Sequence, residues 1–231
     1  MSTTRKEISR HQPKGLVILY EDQDVIVIAK PVGLLTIGTA RDKSRTVHAI
    51  LNDYVRKGNP KSRHRVYVVH RLDRDTSGIL IFAKNEPAKQ YLQENWTETE
   101  KRYLAVVYGR LAPSEGTISS YLAENSALRV YSTPDPAKGK LSRTEYTTLQ
   151  EARGFSLLAL RLLTGRKHQI RVQLAEKGHP IVGDNKYGTS GDGNQRLALH
   201  AQSLTFTHPV TGERLTFSTP VPDYFARLLG K

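Results

Sequence analysis

The chain has 231 residues, 38% hydrophobic and 25% charged, which is ordinary for a globular protein long enough to bury a core. Its 35 Lys and Arg against 22 Asp and Glu give a formal net charge of +13, a balance that favours polyanion partners through phosphate contacts and counterion release. With no cysteine there are no disulfides, no thiolate catalysis and no thiolate-bound zinc, and no apolar run approaches the roughly 18 residues that span a bilayer.

Taken in chain order, residues 1–15 are polar and basic without an apolar segment, so they read as a disordered leader and not as a secretory signal. Residues 16–231 read as a single domain. Val17–Tyr20 and Val25–Ala29 read as strands paired across the acidic turn Glu21-Asp22-Gln23-Asp24. Thr46 to Val55 predicts a helix with Val47, Ile50, Leu51 and Tyr54 on one face and Gly58 past its end. Lys57 to Arg65 is basic and rich in turn residues. Asn85 as a cap and Pro87 in the first turn predict a second helix to about Trp96.

Tyr103–Tyr108, Thr144–Leu149 and Phe155–Leu163 are strand candidates, and the stretch from Glu124 to Leu141 reads as a long loop. His168 to Lys177 predicts a short helix with Ile170 and Leu174 buried and Gly178 as terminator. Thr189 to Asn194 is Gly-rich but lacks the Gly-Lys-Ser/Thr ending of a nucleotide-binding loop. Leu204 and Phe206, with Leu215 and Phe217, alternate with polar residues on either side of a turn and predict a hairpin with one buried face. Many strands and few helices, without regular β-α-β alternation, predict an α+β fold on a mixed sheet.

The segment that concentrates chemistry is His70-Arg71-Leu72-Asp73-Arg74-Asp75-Thr76-Ser77-Gly78, flanked by the apolar runs Val66–Val69 and Ile79–Ala83. Charges where the chain passes between two core strands are costly unless paired or used, and a loop held on rigid strands is a common seat for catalytic groups. The same residues also read as a charged turn whose Arg and Asp neutralise one another in water. The segment alone does not decide between the two.

His-Arg-Leu-Asp-x-x-Thr-Ser-Gly resembles the signature of RNA pseudouridine synthases of the RluA type. Glu21-Asp22-Gln23-Asp24 with Lys30-Pro31-Val32-Gly33 is similar to that family's opening motif, and Lys101-Arg102-Tyr103-Leu104 to its central one. Thr164-Gly165-Arg166-Lys167-His168-Gln169-Ile170-Arg171, Gly178-His179-Pro180-Ile181-Val182-Gly183-Asp184 and the hairpin from Leu199 through Glu213 resemble its later motifs, in the same order. The resemblance implies a bent, mixed and mostly antiparallel central sheet with flanking helices, and an enzyme that isomerises uridine in RNA. It implies no cofactor and no metal. Many relatives carry a small S4-like RNA-binding domain at the N-terminus; about 15 residues precede the first strand signal here, so that domain is expected to be absent.

Pseudouridine synthesis breaks the uridine N-glycosidic bond, turns the base and rejoins it through carbon. A carboxylate suits this as nucleophile or base, in a pocket that keeps the cleaved base from escaping. By the resemblance Asp73 is that carboxylate; Asp75 occupies a variable position. Arg171 is by the same match its charge partner, since a nearby guanidinium favours the ionised form of a carboxylate. Tyr103 is placed against the target base, where a ring stacks on any base. By the same match Arg71 helps to hold the flipped-out nucleotide. Arg166, Lys30, Arg63 and Arg65 are further RNA-binding candidates, and Arg41, Lys43, Arg45, Lys57 and Lys61 flank the same region. His168 and Gln169 read as polar groups bridging helix and sheet. Ala29 and Gln173 depart from the family pattern, which often has Asn and His there.

A metal site of His70, Asp73, Asp75 and His168 is disfavoured, because Arg71 and Arg74 already balance the carboxylates. The partner expected is a structured RNA, ribosomal or transfer, with a small stem-loop favoured, bound by a cytoplasmic monomer. A silent RNA-binding protein on the same fold and a metal-dependent phosphodiesterase are the alternatives.

Overall fold

The structure is a computed structural model and describes residues 13–38, 46–188 and 195–230. These residues divide into two compact units: the chain up to Thr99 together with Ser203–Thr219, and Glu100–Gln202 together with the segment from Pro220 onward. Arg41, Lys43, Arg45, the Gly-rich 189–194 and most of the expected leader lie outside the described residues.

The first unit begins with β1 (Val17–Glu21) and β2 (Val25–Lys30), antiparallel across the acidic turn as expected. Asp22 makes that turn by accepting the Asp24 and Val25 N–H groups on Oδ1. Helix α1 (Val47–Arg56) starts where Thr46 caps the Ala49 N–H and ends at Lys57 in the left-handed region. Strand β3 (Tyr67–Val68) is short; β4 (Ser77–Ala83) is buried along its whole length and pairs with β2 from Val25–Ala83 to Lys30–Gly78. Asn85 caps α2 (Glu86–Glu94), which stops two residues short of the expected Trp96.

The second unit holds β5 (Glu100–Tyr108), β6 (Glu115–Glu124), β7 (Val130–Thr133), β8 (Lys140–Ala152) and β9 (Phe155–Leu162), in spatial order β5-β9-β8-β6-β7. Helix α3 (Gln169–Glu176) packs Ile170 and Leu174 inward and is followed by Gly178 at φ +82°, as the sequence predicts. Strand β10 (Leu199–Thr207) begins in this unit and finishes in the first, where Leu204 opposes Phe217 and Phe206 opposes Leu215 on β11 (Arg214–Ser218). The short α4 (Asp223–Leu228) buries Phe225 in the second unit.

One expectation needs correction. The stretch from Glu124 to Leu141 is not a loop throughout, because β7 pairs with β6 from Tyr121–Thr133 to Glu124–Val130 and β8 starts at Lys140. Only Val130 of β7 is buried, against Leu122, Val172 and Tyr187, so the strand has no alternating pattern to read. Strand β6 and helix α4 have no counterpart among the elements the sequence predicts. The α+β expectation holds: the strands pair antiparallel, and the described residues include an isolated parallel bridge between Leu35 and Thr46.

Each unit has its own core. Val25, Val27, Ile79, Ile81, Leu204 and Phe206 form the first, closed by Ala88 and Leu92 of α2. Leu104–Val107 of β5, Leu158 and Leu160 of β9 and Leu174 of α3 centre the second. Fully burying such a side chain contributes on the order of 1.5–3 kcal/mol.

Candidate active site

The signature segment leaves β3 and re-enters β4 as a short pinned loop. Its backbone is held at three points. The Leu72 N–H donates to Thr36 Oγ1, and that hydroxyl donates back to the Leu72 carbonyl, at 3.2 and 2.8 Å. The Gly33 N–H reaches the Arg74 carbonyl at 2.9 Å, and the Thr76 N–H the Asp73 carbonyl at 3.3 Å. Leu72 and Thr76 are buried on either side of Asp73. His70 stacks on Trp96 at 4.4 Å between centroids, and its Nε2 accepts the Ile81 N–H. Between these anchors Asp73 is half-buried, whereas Arg71, Arg74 and Asp75 are exposed.

Lys30 takes a different place from the one expected. It is 2% exposed, and its ammonium donates to the carbonyls of Pro31, Leu34 and Arg74 at 2.9, 2.8 and 3.0 Å. A buried cation is tolerated when its protons are satisfied. Lys30 therefore fastens the loop next to Asp73 instead of offering its charge to RNA. Arg63 and Arg65 are exposed, with Arg65 lying 5.7 Å from the Tyr67 ring; Lys57 and Lys61 are exposed too.

In the second unit Tyr103 is half-buried on β5 opposite Leu160 and packs against the core. Beside it in the sequence Lys101 is 6% exposed, and burial pushes its ammonium pKa down. Arg171 sits on α3 with its side chain 12% exposed. Its Nε and Nη2 donate to Oδ2 and Oδ1 of Asp184, both at 2.8 Å. Asp184 is 1% exposed and also accepts the Lys186 and Tyr187 N–H groups. Burial alone pushes its carboxyl up, but the Arg171 bonds and charge and the two N–H donors prevail and hold its pKa below the ordinary value. The Tyr187 ring lies 5.3 Å from the Arg171 guanidinium, and its hydroxyl meets His168 Nδ1 at 2.7 Å. Burial pushes the Tyr187 phenol up.

Gly183 is required here by space. At φ +75° a Cβ would lie 2.3 Å from the Arg196 carbonyl oxygen. The missing Cβ lets the chain ahead of Asp184 bond to the segment that leads into β10, with the Ala198 N–H on the Val182 carbonyl at 2.8 Å.

Helix α3 is tied to the sheet by side-chain amides. Gln169 Nε2 donates to the Arg143 carbonyl and to Thr144 Oγ1, while its Oε1 accepts from Thr164 and the Arg166 N–H. Gln173 accepts from Thr144 Oγ1 and donates to the Ser142 carbonyl and Ser120 Oγ. The bridging role read for Gln169 is present, and Gln173, a departure from the family pattern, extends the same buried network. The role of Asp184 and Tyr187 was missed. Gly183-Asp184 stood out as part of a motif, but nothing in it names Arg171 as the partner.

The sequence had disfavoured a metal at His70, Asp73, Asp75 and His168. Among the described residues the group with metal-ligand chemistry is instead Asp22, Asp24 and His208. Asp22 Oδ2 accepts from Tyr20 and from His208 Nε2, and His208 Nδ1 accepts the Val210 and Thr211 N–H groups. Both ring nitrogens are thus committed, and the cluster reads as a hydrogen-bond knot under the hairpin. Burial and the Asp22 bond push the Tyr20 phenol up to about 12.

Comparison with solved structures places this architecture among pseudouridine synthases. The fold matches human RNA Pseudouridylate Synthase Domain Containing 4 with a TM-score of 0.76 at 23% identity, covering 91% of this chain and 90% of that one. Human RNA Pseudouridylate Synthase Domain Containing 1 matches with a TM-score of 0.72 at 27% identity, covering 92% and 86%. The family model described as RNA pseudouridylate synthase matches residues 24–176. The chain belongs to this family of RNA-modifying isomerases. An uncharacterized RNA pseudouridine synthase of Bacillus subtilis is 37% identical over 94% of this chain and 77% of its own length. The ribosomal large subunit pseudouridine synthase D of Haemophilus influenzae is 36% identical over 93% and 70%. No helix among the described residues is long and apolar enough to cross a membrane.

Proposed function

We propose that the protein converts uridine in a structured RNA to pseudouridine with Asp73 as nucleophile or base, Arg171 as its charge partner and Tyr103 against the target base. The observation that carries this reading is the environment of Asp73. Of the two carboxylates in the signature segment, Asp73 is half-buried between backbone anchors and Asp75 is exposed. A reacting carboxylate needs fixed placement and partial exclusion of water, and only the first has both. In the reaction the N1–C1′ bond breaks, the base turns, and C5 bonds to C1′. The C5 proton leaves and N1 takes one up, so no atom is gained overall and no redox partner is required.

Ribosomal RNA is the substrate class favoured, because several relatives at 35–38% identity are named for the large ribosomal subunit. A stem-loop within it fits a target that must leave its stack. Arg71 on the exposed side of the same loop supports the flipped nucleotide. A cytoplasmic monomer without cofactor or metal completes the reading.

The test is a pseudouridine map of total RNA from cells with and without the protein. Sites lost on deletion return with the wild-type gene and with Asp75→Asn, but not with Asp73→Asn. Return of the sites with Asp73→Asn removes the catalytic assignment. Identical maps with and without the protein leave a silent RNA-binding protein. Activity lost on exhaustive chelation points to the metal-dependent alternative.

A further inference from the structure

The second unit carries a groove of about 340 Å³ that the catalytic assignment does not use. One bank is the turn entering β8, with Lys138 and Lys140. The other is the turn ahead of α3, with Arg166 and Lys167. Leu122 and Val130 line it as well. The lining carries four cations and one carboxylate, Glu124, which Lys167 holds in an ion pair, while Asp135 beside the groove lies near Lys138.

Both banks are fixed. The β7–β8 turn closes on Asp135, whose carbonyl accepts the Lys138 and Gly139 N–H groups and whose Oδ1 accepts that of Ala137. A Cβ at Gly139 would lie 2.7 Å from Thr133 Cγ2 and 2.8 Å from Tyr121 Cβ, so that turn lies flush on its own hairpin. The opposite turn is held by Gln169, through the Thr164 hydroxyl and the Arg166 N–H. Leu122 and Val130, 5% and 4% exposed, belong to an apolar cluster with Val172 of α3.

A preformed channel with cations on the banks and apolar side chains below matches a sugar-phosphate strand. Phosphates meet the ammonium and guanidinium groups along the banks, as in basic grooves that track a single-strand backbone. The groove also has a defined place in the unit. Its Arg166–Lys167 bank runs straight into His168 and the first turn of α3, which carries Arg171. A strand held there lies within a few residues of the side chain proposed to face Asp73.

We infer that this groove binds the backbone of the substrate RNA next to the target uridine, with Lys138 and Lys140 as phosphate contacts. The inference rests on the proposed function, since it takes RNA as the substrate. The two lysines lie where the chain enters β8. Lys138 has a weak partner, Asp135 at 3.5 Å with the lysine side chain 76% exposed, so its charge is available to an incoming anion.

The test compares two double variants of the full chain that each remove two positive charges: Lys138→Gln with Lys140→Gln, and Arg110→Gln with Lys177→Gln, which lie outside the groove. Multiple-turnover pseudouridine formation and RNA binding are measured over a salt series. The groove variant is expected to weaken RNA binding and raise KM about tenfold, and to flatten the log–log salt slope by about 1.4 for two single-strand phosphate contacts. Its kcat at saturating RNA stays near that of the wild type, and the other variant keeps wild-type binding. Equal effects from both pairs would reduce the groove to net charge and overturn the inference, as would wild-type affinity and slope in the groove variant. If the wild type itself forms no pseudouridine, the proposed function fails; if it does and only the groove pair is silent, the groove alone fails.

Discussion

Arg171 and Asp184 form a two-point ion pair in which the Asp184 side chain is 1% exposed and the Arg171 side chain 12%. The pair fixes the plane of the guanidinium along α3, with the Tyr187 ring beside it. Removing one partner of such a pair strands a buried charge, so Asp184→Asn is expected to destabilise the protein by about 3–5 kcal/mol. The pH dependence has a definite sign. Asp184 has a folded pKa below its unfolded value of about 3.9, so its contribution is complete above that value and is lost as pH falls through the folded pKa. Urea unfolding from pH 3 to 7 checks this: the gap between wild type and Asp184→Asn should be widest near pH 7 and shrink toward pH 3.

Arg171 itself separates chemistry from binding. Arg171→Ala is expected to lower kcat by about 100-fold, the scale of losing one fixed electrostatic group, with a much smaller change in RNA affinity. Arg171→Lys should fall between, keeping the charge but losing the planar contact to Asp184. Single-turnover kinetics at saturating enzyme, with thermal melts to confirm folding, distinguish this from a phosphate contact. A variant that bound weakly but turned over normally would remove Arg171 from the chemistry.

Lys30→Met keeps the length of the side chain and removes the ammonium that three carbonyls share. Losing these charge-assisted bonds should cost about 1.5–3 kcal/mol, and the loop bearing Asp73 should loosen. The expected result is a lower unfolding midpoint together with faster hydrogen exchange at the Gly33 amide, which donates to the Arg74 carbonyl. Unchanged exchange at Gly33 would separate Lys30 from the loop.

His200 provides a second pH signature. Burial, and then the charge of Arg196, push its pKa from 6.5 down to about 4, and its ring meets Phe225 edge-on. The unfolded chain therefore binds a proton at higher pH than the folded one. Stability should be full above about pH 6.5 and decline by about 3 kcal/mol as pH falls to about 4. His200→Gln should flatten that part of the stability curve whatever it does to the absolute midpoint, and an unchanged slope would assign the effect elsewhere.

Local signals made much of this legible. Thr46 and Asn85 cap helices because their short side chains reach the N–H three residues on, and that contact needs nothing from the rest of the fold. The run Ile79–Ala83 declared a buried strand, and Leu204, Phe206, Leu215 and Phe217 declared a hairpin, through periodicity alone. Strand β7 stayed hidden because its pairing with β6 is a long-range backbone relation and only Val130 is buried.

By itself the sequence determined the order of elements, the apolar faces and the family, since ordered motifs and residue periods are properties of the chain as written. Tertiary structure decided how the charges are used. Lys30, which reads as an RNA contact, is consumed by three carbonyls. Arg171 closes on Asp184, 13 residues away, and Gln173 reaches Thr144 at 29. A charged side chain carries no mark of its partner in sequence. Whether it faces solvent, a carbonyl or a carboxylate is settled only when packing brings distant backbone to within about 3 Å and removes the water that would otherwise satisfy it.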